Sequence, residues 1–211
     1  MRRRHRTIAR WKMVHQGFKG LFLVGMIGLL ASCESSPGGN ECGGIGGTVS
    51  CGDIVSITPE SQNVDAFQNI CTVDDQGNIL TVEEFTDHNA DITFANNTFP
   101  GAQDSFDIRL LSYTVSFTLA RCSPLSAGCP PISSFTKEET ILIRPGEAVT
   151  DSFPLVPIDI KIEYDNDGGD PFTAAEYTAE YVFTGQTTRF EDTITIEGST
   201  TFTISDFDNC P

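Results

Sequence analysis

Three groups of side chains in this 211-residue chain carry chemistry that their spacing could organise. Asp165-Asn166-Asp167-Gly168-Gly169-Asp170 places four oxygen-bearing side chains and two glycines in six residues. Such a loop can wrap a calcium ion with carboxylate and carbonyl oxygens. Asp165, Asp167 and Asp170 are the candidate ligands, although no bidentate glutamate follows at EF-hand distance and a polar turn between strands accounts for the same residues. His88 follows Asp87, which could make a base held by a carboxylate. Adjacent strand residues point to opposite faces, however, and no G-x-S-x-G or other nucleophile context appears, so His88 reads as a surface or loop histidine. Glu83-Glu84, Glu138-Glu139 and Glu191-Asp192 supply neighbouring carboxylates, the groups a glycosidase uses as acid and nucleophile. That mechanism depends on a separation in space that sequence does not fix. In a chain this acidic such pairs arise by chance, and no catalytic residue is assigned.

The elements that would carry these groups begin with a leader. Arg2, Arg3, Arg4, Arg6, Arg10, Lys12 and Lys19 precede an apolar run from Leu21 that closes on Leu30-Ala31-Ser32-Cys33. Basic, then apolar, then small residues make a secretory signal peptide. Leu21 to Ser32 is twelve residues with two glycines, short of the about 20 apolar residues that a spanning helix needs. The aliphatic-small-small-cysteine ending resembles the lipobox of bacterial lipoproteins. That resemblance implies that residues 1–32 are removed, that Cys33 carries the lipid, and that Glu34, standing where an aspartate would signal inner-membrane retention, directs the chain to the outer membrane.

Charge changes sharply once the leader is set aside. All 29 acidic residues lie after Cys33, against six basic ones (Arg109, Arg121, Lys137, Arg144, Lys161 and Arg189), a formal charge of −23. Such a surface repels phosphate backbones, which excludes nucleic acid as a partner. Residues 33–52, with Pro37 and seven glycines, read as a flexible tether that cannot bury a core. Residues 53–211 are long enough for one domain with a proper core.

Six cysteines follow Cys33, an even set that suits an oxidising compartment. Six allow 15 pairings. The short loops between Cys42 and Cys51 and between Cys122 and Cys129 favour those two pairs, leaving Cys71 with Cys210. Metal ligation by these cysteines is disfavoured, since no C-x-x-C spacing occurs and His88 is the one histidine after Cys33.

From Asp53 onward the pattern is strand after strand. Val64–Val73 reads as one strand, Asp74-Asp75-Gln76-Gly77-Asn78 as a turn, and Ile92-Thr93-Phe94 as another strand. Leu111, Tyr113, Val115, Phe117 and Leu119 share one face of a half-buried strand. Arg144-Pro145-Gly146-Glu147 reads as a turn, and Val149–Val156, with its prolines, as a broken edge strand. Ile158, Ile160, Ile162 and Tyr164 alternate with Asp159, Lys161 and Glu163, again as a strand. Ala175, Tyr177, Ala179, Tyr181 and Phe183 alternate up to Gly185-Gln186, and Ile194, Ile196, Gly198, Phe202 and Ile204 return in phase as a long hairpin. The spacing predicts an all-β antiparallel sandwich of about seven to nine strands, with Tyr113 and Tyr181 in its core.

Glu84-Phe85-Thr86-Asp87-His88-Asn89-Ala90, Leu111-Ser112-Tyr113-Thr114-Val115-Ser116-Phe117, Tyr181-Val182-Phe183-Thr184-Gly185 and Gly198-Ser199-Thr200-Thr201-Phe202-Thr203-Ile204-Ser205-Asp206-Phe207 resemble a group of uncharacterised lipoproteins from environmental Gram-negative bacteria. The resemblance implies an immunoglobulin-like sandwich on a lipid tether, with no assigned activity. The expectation is a non-enzymatic structural or interaction module at the outer membrane, held through lipid on Cys33, with a protein or glycan partner. A calcium-dependent adhesion or carbohydrate-binding module is the alternative, and a hydrolase comes after it. Calcium at Asp165, Asp167 and Asp170 is the one cofactor candidate.

Overall fold

The computed structural model describes residues 41–43, 50–98, 105–123, 129–207 and 210. The expected signal peptide (1–32) and lipidated Cys33 lie outside the described residues. Among those described are β1 (Glu41–Gly43), β2 (Ser50–Pro59), β3 (Asn63–Asp65), β4 (Ile70–Val73), β5 (Ile79–Val82), β6 (His88–Thr98), β7 (Ile108–Ser123), β8 (Phe135–Ile143), β9 (Ala148–Val156), α1 (Ile158–Asn166), β10 (Ala174–Thr187) and β11 (Thr193–Ser205). One sheet runs β1-β2-β6-β9, a second runs β3-β11-β10-β7-β8, and β4-β5 form a separate ribbon. The chain is an all-β sandwich, as its alternating pattern predicts. The pairings are antiparallel except that β3 lies parallel to β11.

Period-two burial builds the core. On β10, Ala175, Tyr177, Ala179, Tyr181 and Phe183 point inward, and on β11 Ile194, Ile196, Phe202 and Ile204 do the same. Ile92 and Phe94 of β6 and Phe153 and Leu155 of β9 meet them from the other sheet. Tyr113 and Tyr181 are core residues as expected, the second donating its hydroxyl to the Pro154 carbonyl at 3.2 Å. Cys71–Cys210 and Cys122–Cys129 are disulfide-bonded, both favoured pairings. Cys51 is also in a disulfide, and Cys42 stands opposite it in the β1–β2 register.

Several elements depart from the sequence reading. β1 and the first residues of β2 fall inside the expected 33–52 tether, and Cys51 and Gly52 are buried. The sandwich therefore starts earlier than glycine content suggests. Val64–Val73 is two strands, because Asp65 accepts the Phe67 N–H in an Asx turn that breaks the run. Leu111 is exposed, since the β7 register shifts against both neighbours between Leu110 and Ser112. That bulge inverts the phase, burying Ile108 and Leu110 before it and Tyr113 and Val115 after it. Leu119, beside a second shift, is likewise exposed.

The largest departure is α1, where a strand was expected. Pro157 at the N-cap position has no N–H to leave unpaired, and the Asp87 carboxylate accepts the Ile158 N–H at 2.7 Å. Ile160, Lys161 and Tyr164 are buried, a helical face, while Ile158 and Ile162 are exposed. At the other end Gly168 takes φ 93°, Gly169 N–H donates to Tyr164 and Gly168 N–H to Asp165. This is a Schellman ending. Two residues of the acidic run thus form the last turn of the helix, and its first glycine closes it.

The β7 bulge depends on Gly185. A Cβ there would lie 2.8 Å from Leu110 Cα and closer still to the Arg109 carbonyl oxygen. Gly185→Ala is expected to lower unfolding free energy by about 1–3 kcal/mol, measured by urea denaturation. An unchanged midpoint would mean that β7 and β10 yield without cost.

Candidate functional site

A cleft of about 530 Å³ opens where β2 ends, β6 begins and α1 packs. Its walls come from the β2–β3 turn (Glu60, Ser61), β3 (Asp65), the segment before β6 (Glu84, Phe85, Asp87), His88 at the start of β6, Lys161 of α1 and Phe207 after β11. A smaller groove of about 280 Å³ shares Phe85 with it and is lined by Ala66, Gln68, Ile158, Ile162, Asp165 and Asn166. The cleft sits within the roughly 300–1,000 Å³ range of small-molecule sites.

Lys161 is the unusual group. It is 5% exposed, and α1 delivers it inward between Ile160 and Tyr164. Its Nζ lies 5.0 Å from the centre of the Phe85 ring, a cation–π contact. Among the described residues no acceptor hydrogen-bonds this ammonium and no carboxylate comes within 4.0 Å. Burial holds its pKa below the ordinary lysine value, opposed by the charges of Asp65, Asp87, Glu60 and Glu83. An ammonium in such surroundings is a donor without an acceptor.

Asp65 in the wall is paired with Glu83, a buried carboxyl. Burial is the main cause that pushes Asp65 up to about 6, and a hydrogen bond and repulsion from Glu83 add to it, against the N–H groups of Phe67 and Phe207. Glu83 is buried and accepts from Asn69 Nδ2 at 3.1 Å, whose amide also reaches Asp206 at 2.7 Å. Below about pH 6 Asp65 is therefore protonated and shares that proton with Glu83.

His88 lines the same cleft as several carboxylates, but not as a base held by Asp87. The Asp87 carboxylate faces α1, and His88 Nε2 lies 2.9 Å from the Ser61 carbonyl, which fixes an Nε2–H tautomer. Burial, with Lys161 adding, holds its pKa below the ordinary histidine value, so it is neutral at pH 7. It contacts the Ser61 carbonyl, while the Ser61 hydroxyl accepts from Asn63 N–H.

The other sequence candidates lie elsewhere. Asp165 and Asp167 are exposed at the end of α1, and Asp170 accepts from Phe172 N–H and Thr173 Oγ1. Among the described residues no group of three or more His, Cys, Asp or Glu is placed to hold a metal ion. Glu83 is buried and Glu84 exposed, Glu138 and Glu139 are exposed on β8, and Glu191, at φ 56°, turns the β10–β11 connection. Lys161, Asp65 and the role of Glu83 escaped the sequence reading, which put Lys161 on the polar face of a strand. The signal that could have found it is Pro157 before an Ile160–Tyr164 spacing that suits a helix.

No family model matches the chain, and neither does any curated protein. A crystal structure of a protein from Archaeoglobus fulgidus aligns with 72% of this chain and 97% of its own, at 11% identity and a TM-score of 0.36. That likeness is too distant to bear on fold or function.

Two outcomes follow from the buried charges. A carboxyl with a folded pKa of about 6 against an ordinary value of 3.8 binds its proton more tightly in the folded chain. Asp65 thus makes stability fall as pH rises from about 4 to about 6. Asp65→Asn, which keeps an oxygen for Phe67 N–H, is expected to flatten this part of the Tm–pH curve and raise Tm above pH 6. An unaltered slope in differential scanning calorimetry would reject the shared proton. Lys161→Met keeps the stem and removes an ammonium that no described residue hydrogen-bonds, and is expected to raise stability by about 1–2 kcal/mol in urea denaturation. A loss of stability would show that the ammonium is well solvated in the cleft.

Proposed function

We propose that this chain is an exported, lipid-anchored interaction module, held at the outer membrane through Cys33 and presenting a β-sandwich that contacts its partner through the Lys161 cleft. The observation that carries the binding reading is the ammonium of Lys161, buried in the wall of a cleft without an acceptor among the described residues. A group placed there at a cost to stability is accounted for by something it meets. Export is supported by Cys71–Cys210, which joins residues 139 apart, and by Cys122–Cys129, since such bonds persist in oxidising compartments. Binding is favoured over hydrolysis because His88 Nε2 is engaged with a backbone carbonyl. The formal charge of −23 after Cys33 argues against nucleic acid as the partner.

Intact mass of the membrane-extracted protein tests the anchor. The expected chain starts at Cys33, carries acyl mass and gains six hydrogens on reduction, while Cys33→Ser loses the acyl mass. An unmodified chain starting elsewhere would remove the lipoprotein reading, and free thiols in the native protein would remove the oxidising compartment.

A further inference from the structure

We propose that the Lys161 cleft binds a neutral, hydroxyl-rich ligand, a saccharide, with the Lys161 ammonium donating to one of its oxygens. This rests on the cleft being the contact surface of the module. Charge selects the ligand class. Glu60, Asp65, Glu84 and Asp87 line the cleft against one ammonium, and His88 is the other titratable group facing it. An anionic ligand would reach Lys161 only by entering a ring of carboxylates. A cationic ligand drawn by those carboxylates would meet the ammonium. A neutral polyol conflicts with neither, because each hydroxyl both donates and accepts.

The hydrogen-bond inventory fits the same class. Lys161 Nζ offers donors that no described residue uses. The carboxylates are acceptors with spare lone pairs: Asp87 gives Oδ1 to Ile158 N–H, and Glu60 accepts from Asn89 N–H and Nδ2. Hydroxyl hydrogens are the donors that such oxygens lack. Phe207 and Phe85 supply apolar wall for the C–H face of a sugar ring. Phe85 also separates the cleft from the groove over Ile158 and Ile162. An oligosaccharide longer than the cleft would pass over that ring onto Ile158 and Ile162 flanked by Gln68 and Asn166.

The test uses the lipidated protein in phosphatidylcholine nanodiscs and reads both titration calorimetry and the Lys161 side-chain NMR signals. The probes are neutral tetrasaccharides (cellotetraose, maltotetraose, chitotetraose, mannotetraose), glucose 6-phosphate as an anion, spermidine as a cation and glycine as a zwitterion. At least one tetrasaccharide should bind and move the Lys161 signals, and the charged probes should not. Lys161→Met should weaken that binding about tenfold or more with no fall in Tm, and Phe207→Ala should weaken it as well. Equal binding by Lys161→Met would overturn the proposal. Movement of the Lys161 signals by spermidine, glucose 6-phosphate or glycine alone would overturn the saccharide and leave the interaction module standing. Silence from every probe would overturn both.

Discussion

The sandwich is joined at Phe183. Its ring lies 4.8 Å from Phe94 and 5.2 Å from Phe153, both in the opposite sheet, and 5.4 Å from Tyr113 in its own. The pairs with Phe94 and Phe153 are edge-to-face, and aromatic pairs of this kind contribute about 0.5–1.5 kcal/mol each beyond the area they bury. They also fix which residue of one sheet faces which of the other, because an inserted ring cannot slide. With Phe94 and Phe153 set, the β6 and β9 registers are set, and with them the positions of His88 at one end of β6 and Val156 before α1. The cleft is thus located by packing some distance from it.

What the packing locates is an electrostatic mismatch. Four carboxylates line a cleft whose one ammonium neither comes within 4.0 Å of them nor finds an acceptor among the described residues. Two more features keep the mismatch in place. Below about pH 6 Asp65 and Glu83 share a proton, which lowers the negative charge beside Lys161, and the Phe85 ring lies 5.0 Å from the ammonium in a cation–π contact. Satisfied interiors are the rule, and departures concentrate where a protein meets something else.

Much of the framework was legible in the residues. The hairpin of Ala175–Phe183 with Ile194–Ile204 is long and strictly alternating, so period two sufficed, and the Asp74–Asn78 turn and the edge position of β9 follow from side-chain capping and from Pro154. The β7 bulge was not legible, because the extra residue is defined by its partners and the sequence around Leu111 alternates smoothly through it. Nor was α1: Ile158 to Tyr164 fits period two as well as 3.6, and the deciding contacts, the Asp87 cap and the burial of Tyr164 against Phe67 and Tyr177, come from distant parts of the chain. Misplacing that element hid the site, since Lys161 turns inward only as a helix. His88 was legible as a residue to examine, but its partner was not Asp87.

The bond from Ile158 N–H to Asp87 has a mechanical side. α1 has nine residues and no side-chain cap of its own, so its first turn leans on a carboxylate that belongs to a wall of the cleft. The same turn holds Ile160 and Lys161. A change at Asp87 is therefore felt at the helix start and, through the same turn, at Lys161. The acidic lip and the ammonium in the wall are thereby tied by one hydrogen bond and one turn of helix.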